Sequence, residues 1–335
     1  MRRSYAARIG RRMLEDAVYL RENPNMAADP FSDILRLTRA EAVLTGGFSA
    51  GGRWAIRFPA RDRLKFSAVL KGGCWIALDG EPEPAWLAAG DVGLLAARRG
   101  YVLASDLGAP PLDAVSLFSG AGRTTATLGD GQAFDFIGGH VVVDPASGAL
   151  LEDVLPPWIH IPAASPEAPV FRWLLDRLVA EGAAALPGAP LASAQLTQLL
   201  FIQILRTHLR DGAALPAGWL KVLADPRLSP ALKALHAEPA RAWGLEDLAR
   251  ACAMSRTRFA ARFREVAGVP PLNYLTQWRM RLARHALRDG AEPVSAIAET
   301  LGYASESAFS NAFKRETGAS PRAYRQAVRD GASGP

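Results

Sequence analysis

From residue 31 to about 155 the apolar positions come in short runs. WAIRF (54–58), FSAVL (66–70), CWIAL (74–78), VGLLA (92–96) and DAVSLF (113–118) each have the length of a strand. Turn formers punctuate them: Lys71-Gly72-Gly73, Asp79-Gly80, Ala89-Gly90-Asp91, Arg99-Gly100 and Ala109-Pro110-Pro111. Many short strands at that spacing predict a β-sandwich or barrel. The period then changes. Pro156-Pro157 and the stretch 161–169 break the pattern. Beyond them Phe171, Leu174, Leu175 and Leu178 recur at helical spacing, which predicts a helix over 170–181. A second apolar-faced helix is expected over 191–209. The pair carries too little polar surface to stand alone. It is expected to pack on the barrel, on a second subunit, or on both.

From about Leu228 the chain reads as short helices. Ser229-Pro230 and Ser320-Pro321 each place a capping residue before a proline at a first helical position. Within this region one pattern occurs twice, fifty positions apart. Ser255 recurs as Ser305, Phe259 as Phe309, Phe263 as Phe313, Gly268 as Gly318, Pro271 as Pro321 and Tyr274 as Tyr324, with Arg264 matched by Lys314. Ser255 and Ser305 are expected to be N-caps. Phe259 and Phe263 are four apart and share the buried face of the helix that follows. The opposite pole carries Thr257, Ala261 and Arg264, flanked by Arg258. In the second copy it carries Ser307, Asn311 and Lys314, with Ser310 and Glu306 nearby. Core positions repeat while exposed positions differ, as expected of two like scaffolds aimed at different base sequences.

Charge sharpens that reading. Residues 226–330 hold 17 basic and 10 acidic side chains, a balance of +7, whereas residues 1–225 hold 22 and 23. Net positive charge concentrated on the repeat-bearing segment is the footprint of phosphate binding. Asn311 can pair bidentately with adenine, Ser307 and Ser310 can donate or accept, and Glu306 can accept from cytosine. Ala261 can offer only a contact to a thymine methyl, with Thr257 and Arg258 beside it. Arg256, Arg262, Arg264, Arg279, Arg281, Lys314 and Arg315 are the candidate phosphate ligands, which position without specifying sequence. The second copy is thus expected to be the better reader and the first an anchor.

The stretches 245–287 and 293–325 resemble the DNA-binding domain of the AraC/XylS family of bacterial transcription regulators. The likeness is carried by Ile297-Ala298, Leu301-Gly302-Tyr303, Ser307-Ala308-Phe309, Phe313-Lys314-Arg315, Gly318, Pro321 and Tyr324. It implies two helix-turn-helix units on a shared long helix, with recognition helices in successive major-groove segments about 34 Å apart. Residues 66–105, with Gly72, Leu87, Gly90-Asp91 and Gly100, resemble the cupin-type sensor domain that precedes this domain in many family members. Leu155-Pro156-Pro157 and Ile159-His160 add to that likeness. It implies a jelly-roll barrel that binds an effector or dimerises.

The expected fold is therefore α+β and multidomain. Residues 1–25 form a flexible basic extension, with Met26 an alternative start. Residues 26–160 form the cupin-like domain, 165–225 a helical coupling and dimerisation segment, and 226–330 the DNA-binding domain. The expected function is a cytoplasmic, DNA-binding regulator, an activator acting with RNA polymerase as a homodimer. An effector in the barrel gates it, or the barrel serves for dimerisation alone. A barrel enzyme is the remaining alternative. Against it, residues 31–139 contain no histidine, and His140 and His160 are too few for a metal site, so no cofactor is expected. Gly47-Phe48-Ser49-Ala50-Gly51 has the spacing of a nucleophile elbow, but an extended run follows it and a glycine-rich turn is expected instead. Cys74 and Cys252 fall in different domains and predict no disulfide, as in a reducing compartment. No apolar run reaches the roughly 18 residues needed to span a bilayer.

Overall fold

The computed structural model describes residues 29–331, apart from 61–62, 97–98, 120–124, 145–146, 185 and 212–214. The extension expected over 1–25, and Met26, lie outside the described residues. The chain divides into two compact units: residues 38–216, and residues up to 37 together with those from 217 onward. Helix α1 (Pro30–Leu37) thus belongs to the second unit although it precedes the first in sequence.

The first unit runs β1 (Glu41–Ala50), β2 (Ala55–Phe58), β3 (Leu64–Lys71), β4 (Gly73–Leu78), β5 (Ala85–Ala88), β6 (Val92–Leu95), β7 (Tyr101–Ala104), β8 (Leu112–Asp113), α2 (Ala114–Leu117), β9 (Thr125–Leu128), β10 (Phe134–Val142), α3 (Ala149–Glu152), β11 (Trp158–Ile161), α4 (Ala168–Ala184) and α5 (Ala189–Asp211). Two sheets form, in the orders β11-β6-β3-β10-β1-β9 and β5-β4-β7-β2-β8. Alternate side chains of each strand face a shared core. Phe48, Trp54, Ile56, Val69, Ile76, Leu103, Phe134 and Phe136 fill it.

Two expectations for this unit are corrected. The run 113–118 is not a strand. Asp113 accepts hydrogen bonds from the backbone N–H and hydroxyl of Ser116, and this N-cap chemistry starts α2 where the apolar pattern alone suggested extension. The turn expected over 47–51 is strand through Ala50, and only Gly51 leaves it, leading into the bend at 52–53. Gly47 lies inside β1, and a Cβ would overlap the Phe136 carbonyl of the paired β10. Glycine serves close strand approach here. Ser49 donates to Asp135 Oδ1 at 2.6 Å instead of standing on an elbow.

The turn Gly90-Asp91 is a pin. Asp91, 6 % exposed, accepts from the N–H groups of Ala88 (3.0 Å) and Ala163 (2.7 Å), and its Oδ2 lies 2.9 Å from His160 Nε2. Helices α4 and α5 appear where the periodicity placed them and pack in this unit through Phe171, Leu174, Leu178, Phe201 and Ile204. Gln198 of α5 docks like a neighbouring strand. It donates to Ala40 O at 3.0 Å and accepts from Ala42 N–H at 2.8 Å. The expected coupling segment 165–225 is therefore divided: its helices join the barrel, and residues from 217 join the second unit.

The second unit continues from α1 with α6 (Trp219–Ala224), α7 (Ser229–Ala237), α8 (Leu245–Ala251), α9 (Arg256–Ala267), α10 (Pro271–Asp289), α11 (Val294–Thr300), α12 (Glu306–Thr317) and α13 (Pro321–Gly331). Ser229 is the first residue of α7 rather than its cap, which is Leu228. The repeat holds in three dimensions. Ser255 accepts from Arg258 N–H and Ser305 from Ala308 N–H. Gly268 and Gly318 end α9 and α12 at φ 76° and 79°. Phe263 meets Tyr274 edge-on at 6.0 Å, and Phe313 meets Tyr324 at 5.5 Å. The copies are offset by 49 before the turn and by 50 after it. Met254 N–H bonds to Ala249 O as Tyr303 N–H bonds to Ala298 O, both at 2.9 Å, and Ala304 is the added residue of the second turn.

Helix α1 went unforeseen as part of this unit. Phe31, Ile34 and Leu35 have helical spacing, but eight residues are too few to say which core they enter. Phe31 packs on Trp219, 6.4 Å between rings. Asp33 Oδ2 lies 3.3 Å from His236 Nδ1, while His236 Nε2 meets the Tyr274 hydroxyl at 2.9 Å. The imidazole stacks on Trp278 at 4.0 Å. Burial lowers the His236 pKa, with Arg281 adding to the shift and Asp33 and Asp29 opposing it. A histidine that resists charging when folded stabilises the fold above its unfolded pKa, and that stability is lost as pH falls. Below about pH 6.5 the unit is expected to weaken by up to about 1.4 kcal/mol per pH unit from this group. Thermal unfolding of wild type and His236→Gln across pH 7.5 to 5.5 checks it; equal slopes would remove His236 as the cause.

Candidate nucleic-acid interface

Two serine caps aim α9 and α12, and two buried phenylalanines on each fix their rotation. Phe259, Phe263, Phe309 and Phe313 are 0 % exposed. Thr257, Arg258, Ala261 and Arg264 are consequently exposed together on α9. Ser307, Asn311, Lys314 and Arg315 are exposed on α12, with Ser310 half-buried. Glu306 is half-buried and its Oε1 accepts from Arg322 Nη2 at 3.2 Å. Arg256 is exposed, 3.8 Å from Glu246. The geometry brings the expected base-facing residues to one face of each helix.

Three of the seven candidate phosphate ligands are placed otherwise than expected. Arg262 is half-buried and donates through Nε and Nη2 to Asp225 Oδ2, at 3.0 and 2.7 Å. Arg279 donates through Nε to Pro239 O at 2.6 Å and through Nη2 to Arg241 O at 2.9 Å. Its guanidinium lies 5.6 Å from the centre of the Tyr303 ring. Burial holds this guanidinium below its ordinary range and the Tyr303 hydroxyl above its own. Arg281 is half-buried, close enough to Tyr274 and His236 to affect their ionisation. The apolar periodicity gave no sign of these commitments, because they depend on loops that arrive from elsewhere in the chain. Arg322, which steadies Glu306, was also missed. Its only sequence signal is its place directly after the Ser320-Pro321 helix start.

The barrel has its own cavity of about 300 Å³. Ile76, Leu78, Ala85 and Trp158 line it with apolar surface, and Glu81 and Glu83 add carboxylates. Arg99 pairs with Glu81 at 2.5 Å. Among the described residues no three His, Cys, Asp or Glu side chains cluster as metal ligands. His140 meets Arg63 and His160 meets Asp91. Cys74 is fully buried, and burial pushes its thiol up to about 12, away from the reactive thiolate. Among the described residues no helix is long and apolar enough to cross a membrane.

A doubled helix-turn-helix on a basic, capped scaffold, preceded by a two-sheet barrel, defines a DNA-binding regulator with an appended β-domain. A cupin family profile matches residues 29–210, and a helix-turn-helix domain profile matches residues 248–327. A protein described as an AraC-like transcription regulator of Streptomyces antibioticus is 41% identical over 298 residues, covering 89% of this chain and 98% of that one. The transcriptional regulator AlkR of Acinetobacter baylyi is 35% identical, covering 82% and 92%. Among solved structures, the DNA-binding domain of AdpA in complex with a target DNA is 33% identical over 33% of this chain and 99% of that one, with a TM-score of 0.31. The chain belongs to the AraC-like family of transcription regulators and carries an N-terminal cupin domain.

Proposed function

We propose that α9 and α12 enter successive major-groove segments of one duplex and divide the work unequally. The division of positions carries this reading: the buried pole is the same in both copies and the exposed pole is not. On α12, Ser307, Ser310 and Asn311 present hydrogen-bonding groups to base edges, and Glu306 can accept from cytosine. On α9, Ala261 sits at the pole between Thr257 and Arg258. Arg256, Arg264, Lys314 and Arg315 hold phosphates; Arg262, Arg279 and Arg281 are engaged within the protein. Selecting duplexes from a randomised library with the full chain tests the division. Strong base preference is expected across the segment under α12 and weak preference under α9. Equal information in both segments would overturn the unequal division.

We further propose that the protein acts in the cytoplasm as a homodimeric activator that contacts RNA polymerase, with the barrel unit as its dimerisation and effector element. Exposed apolar side chains on α4 and α5 support the dimer: Val170, Trp173 at 55 %, Leu191 at 68 % and Leu199. Large apolar side chains left exposed on two packed helices are what an interface would cover. Trp173→Asp is expected to shift the full chain from dimer toward monomer in sedimentation equilibrium at micromolar concentration. A wild-type chain that sediments only as monomer would sink the dimer. The cavity beside Trp158 favours an effector over a barrel kept for dimerisation alone. Thermal scanning of the chain against a metabolite set separates the two readings.

A further inference from the structure

We propose that Arg279 is a positioning residue that fixes the spacing between the two recognition helices. It rests on the reading that α9 and α12 engage one duplex. Arg279 sits where the shared helix α10 passes from one core to the other. Its neighbour Trp278 stacks on His236 in the first copy, whereas Met280 and Ala283 belong to the core of the second. From this junction the guanidinium reaches both sides. Two of its nitrogens hold the carbonyls of Pro239 and Arg241, in the loop between α7 and α8. Its Cζ lies over the Tyr303 ring, 5.6 Å from the centre, in the turn between α11 and α12. The Tyr303 ring in turn meets Phe309 of α12 edge-on at 5.5 Å.

The same loop and turn also meet through backbone. Gly302 has φ +77°, and a Cβ there would overlap the Ala240 carbonyl. The loop of the first copy is therefore clasped between Arg279 and the turn of the second. A planar fork that donates to two carbonyls while its charge lies over a ring is what arginine supplies and lysine does not. Without the Arg279 fork, the loop and the turn keep only their close backbone approach at Gly302 and Ala240, and the two copies can swing about α10. DNA makes this matter. One added base pair moves the second groove segment by about 3.4 Å along the axis and turns it by roughly 35°. A rigid pair of readers suffers from that displacement, and a hinged pair absorbs it.

The test uses the full chain and a duplex recovered from a random library by the wild-type protein, with matched duplexes lengthened or shortened by one base pair between the two segments. Wild type is expected to lose about 30-fold or more in affinity on either change. Arg279→Met, which keeps the apolar stem, is expected to lose about fivefold or less, with its salt slope unchanged. Arg279→Lys guards against a folding defect in the methionine variant, and it is expected to tolerate spacing changes better than wild type. Both variants are checked by thermal melting. If either folded variant keeps the wild-type spacing penalty, the clasp is overturned. A salt slope lowered by about one in the methionine variant and restored in the lysine variant marks a phosphate contact and also overturns it. A wild type indifferent to spacing would overturn the two-groove reading as well as the clasp.

Discussion

Gly302→Ala is expected to destabilise the helical unit by about 2–5 kcal/mol, the sum of two effects of similar size. The left-handed backbone costs an L-residue about 1–2 kcal/mol, and overpacking against a rigid neighbour costs about 1–3 kcal/mol. Gly302 has φ +77°, and its added methyl meets the Ala240 carbonyl, which as backbone cannot rotate away. Two other positions isolate the terms. Gly318 has φ +79° with open space around its would-be Cβ, so Gly318→Ala should show the conformational cost alone, about 1–2 kcal/mol. Ala253, the counterpart of Gly302 in the first turn, already sits at φ 50°. Ala253→Gly should therefore relieve about 1–2 kcal/mol of strain but lose about 0.4–1 kcal/mol to the freer unfolded chain, a net stabilisation of up to about 1.6 kcal/mol. Urea unfolding followed by helical circular dichroism measures all three. Equal losses at 302 and 318 would show that contact with Ala240 adds nothing.

That contrast shows how the sequence was legible and where it stopped. The fifty-residue repeat exposed the caps, the paired phenylalanines and the terminal glycines, because each is dictated by a neighbour within four residues. The one-residue difference between the two turns was hidden. The pattern after the turn carries most of the repeated residues, and it alone gave the interval of fifty. In the barrel, apolar runs with turns between them marked β2, β3, β4 and β6. The run 113–118 had the same look, but a single aspartate decided it locally as a helix start. Long-range placement was least legible. Nothing in PFSDILRL says that it packs beside His236, some two hundred residues away, nor that Arg279 spends its donors on carbonyls at 239 and 241. A basic residue on a helix reads the same from sequence whether it faces a phosphate or a loop.

The exposed pole of α12 makes the second large prediction. Asn311→Ala is expected to weaken binding to the selected duplex by about 1–3 kcal/mol, or about 5- to 150-fold, and to relax preference at one base pair. The physical reason is the amide's pairing with adenine. Its carbonyl accepts from N6 and its amino group donates to N7, and no other base presents that pair of groups in that order. Asn311 is neutral, so the dependence on salt should stay as in wild type. Lys314, one turn further along the same face, should behave in the opposite way. Lys314→Ala is expected to weaken binding to every duplex alike and to lower the salt slope by about one. Titrations of both variants at several salt concentrations, against the selected duplex and its single-base variants, separate the two roles. Uniform loss across all bases for Asn311→Ala would place this residue on the backbone and move the reading face to Ser307 and Ser310. The integrity of α12 is safeguarded in both variants, since its rotation is set by Phe309 and Phe313 and its start by Ser305, none of which is touched.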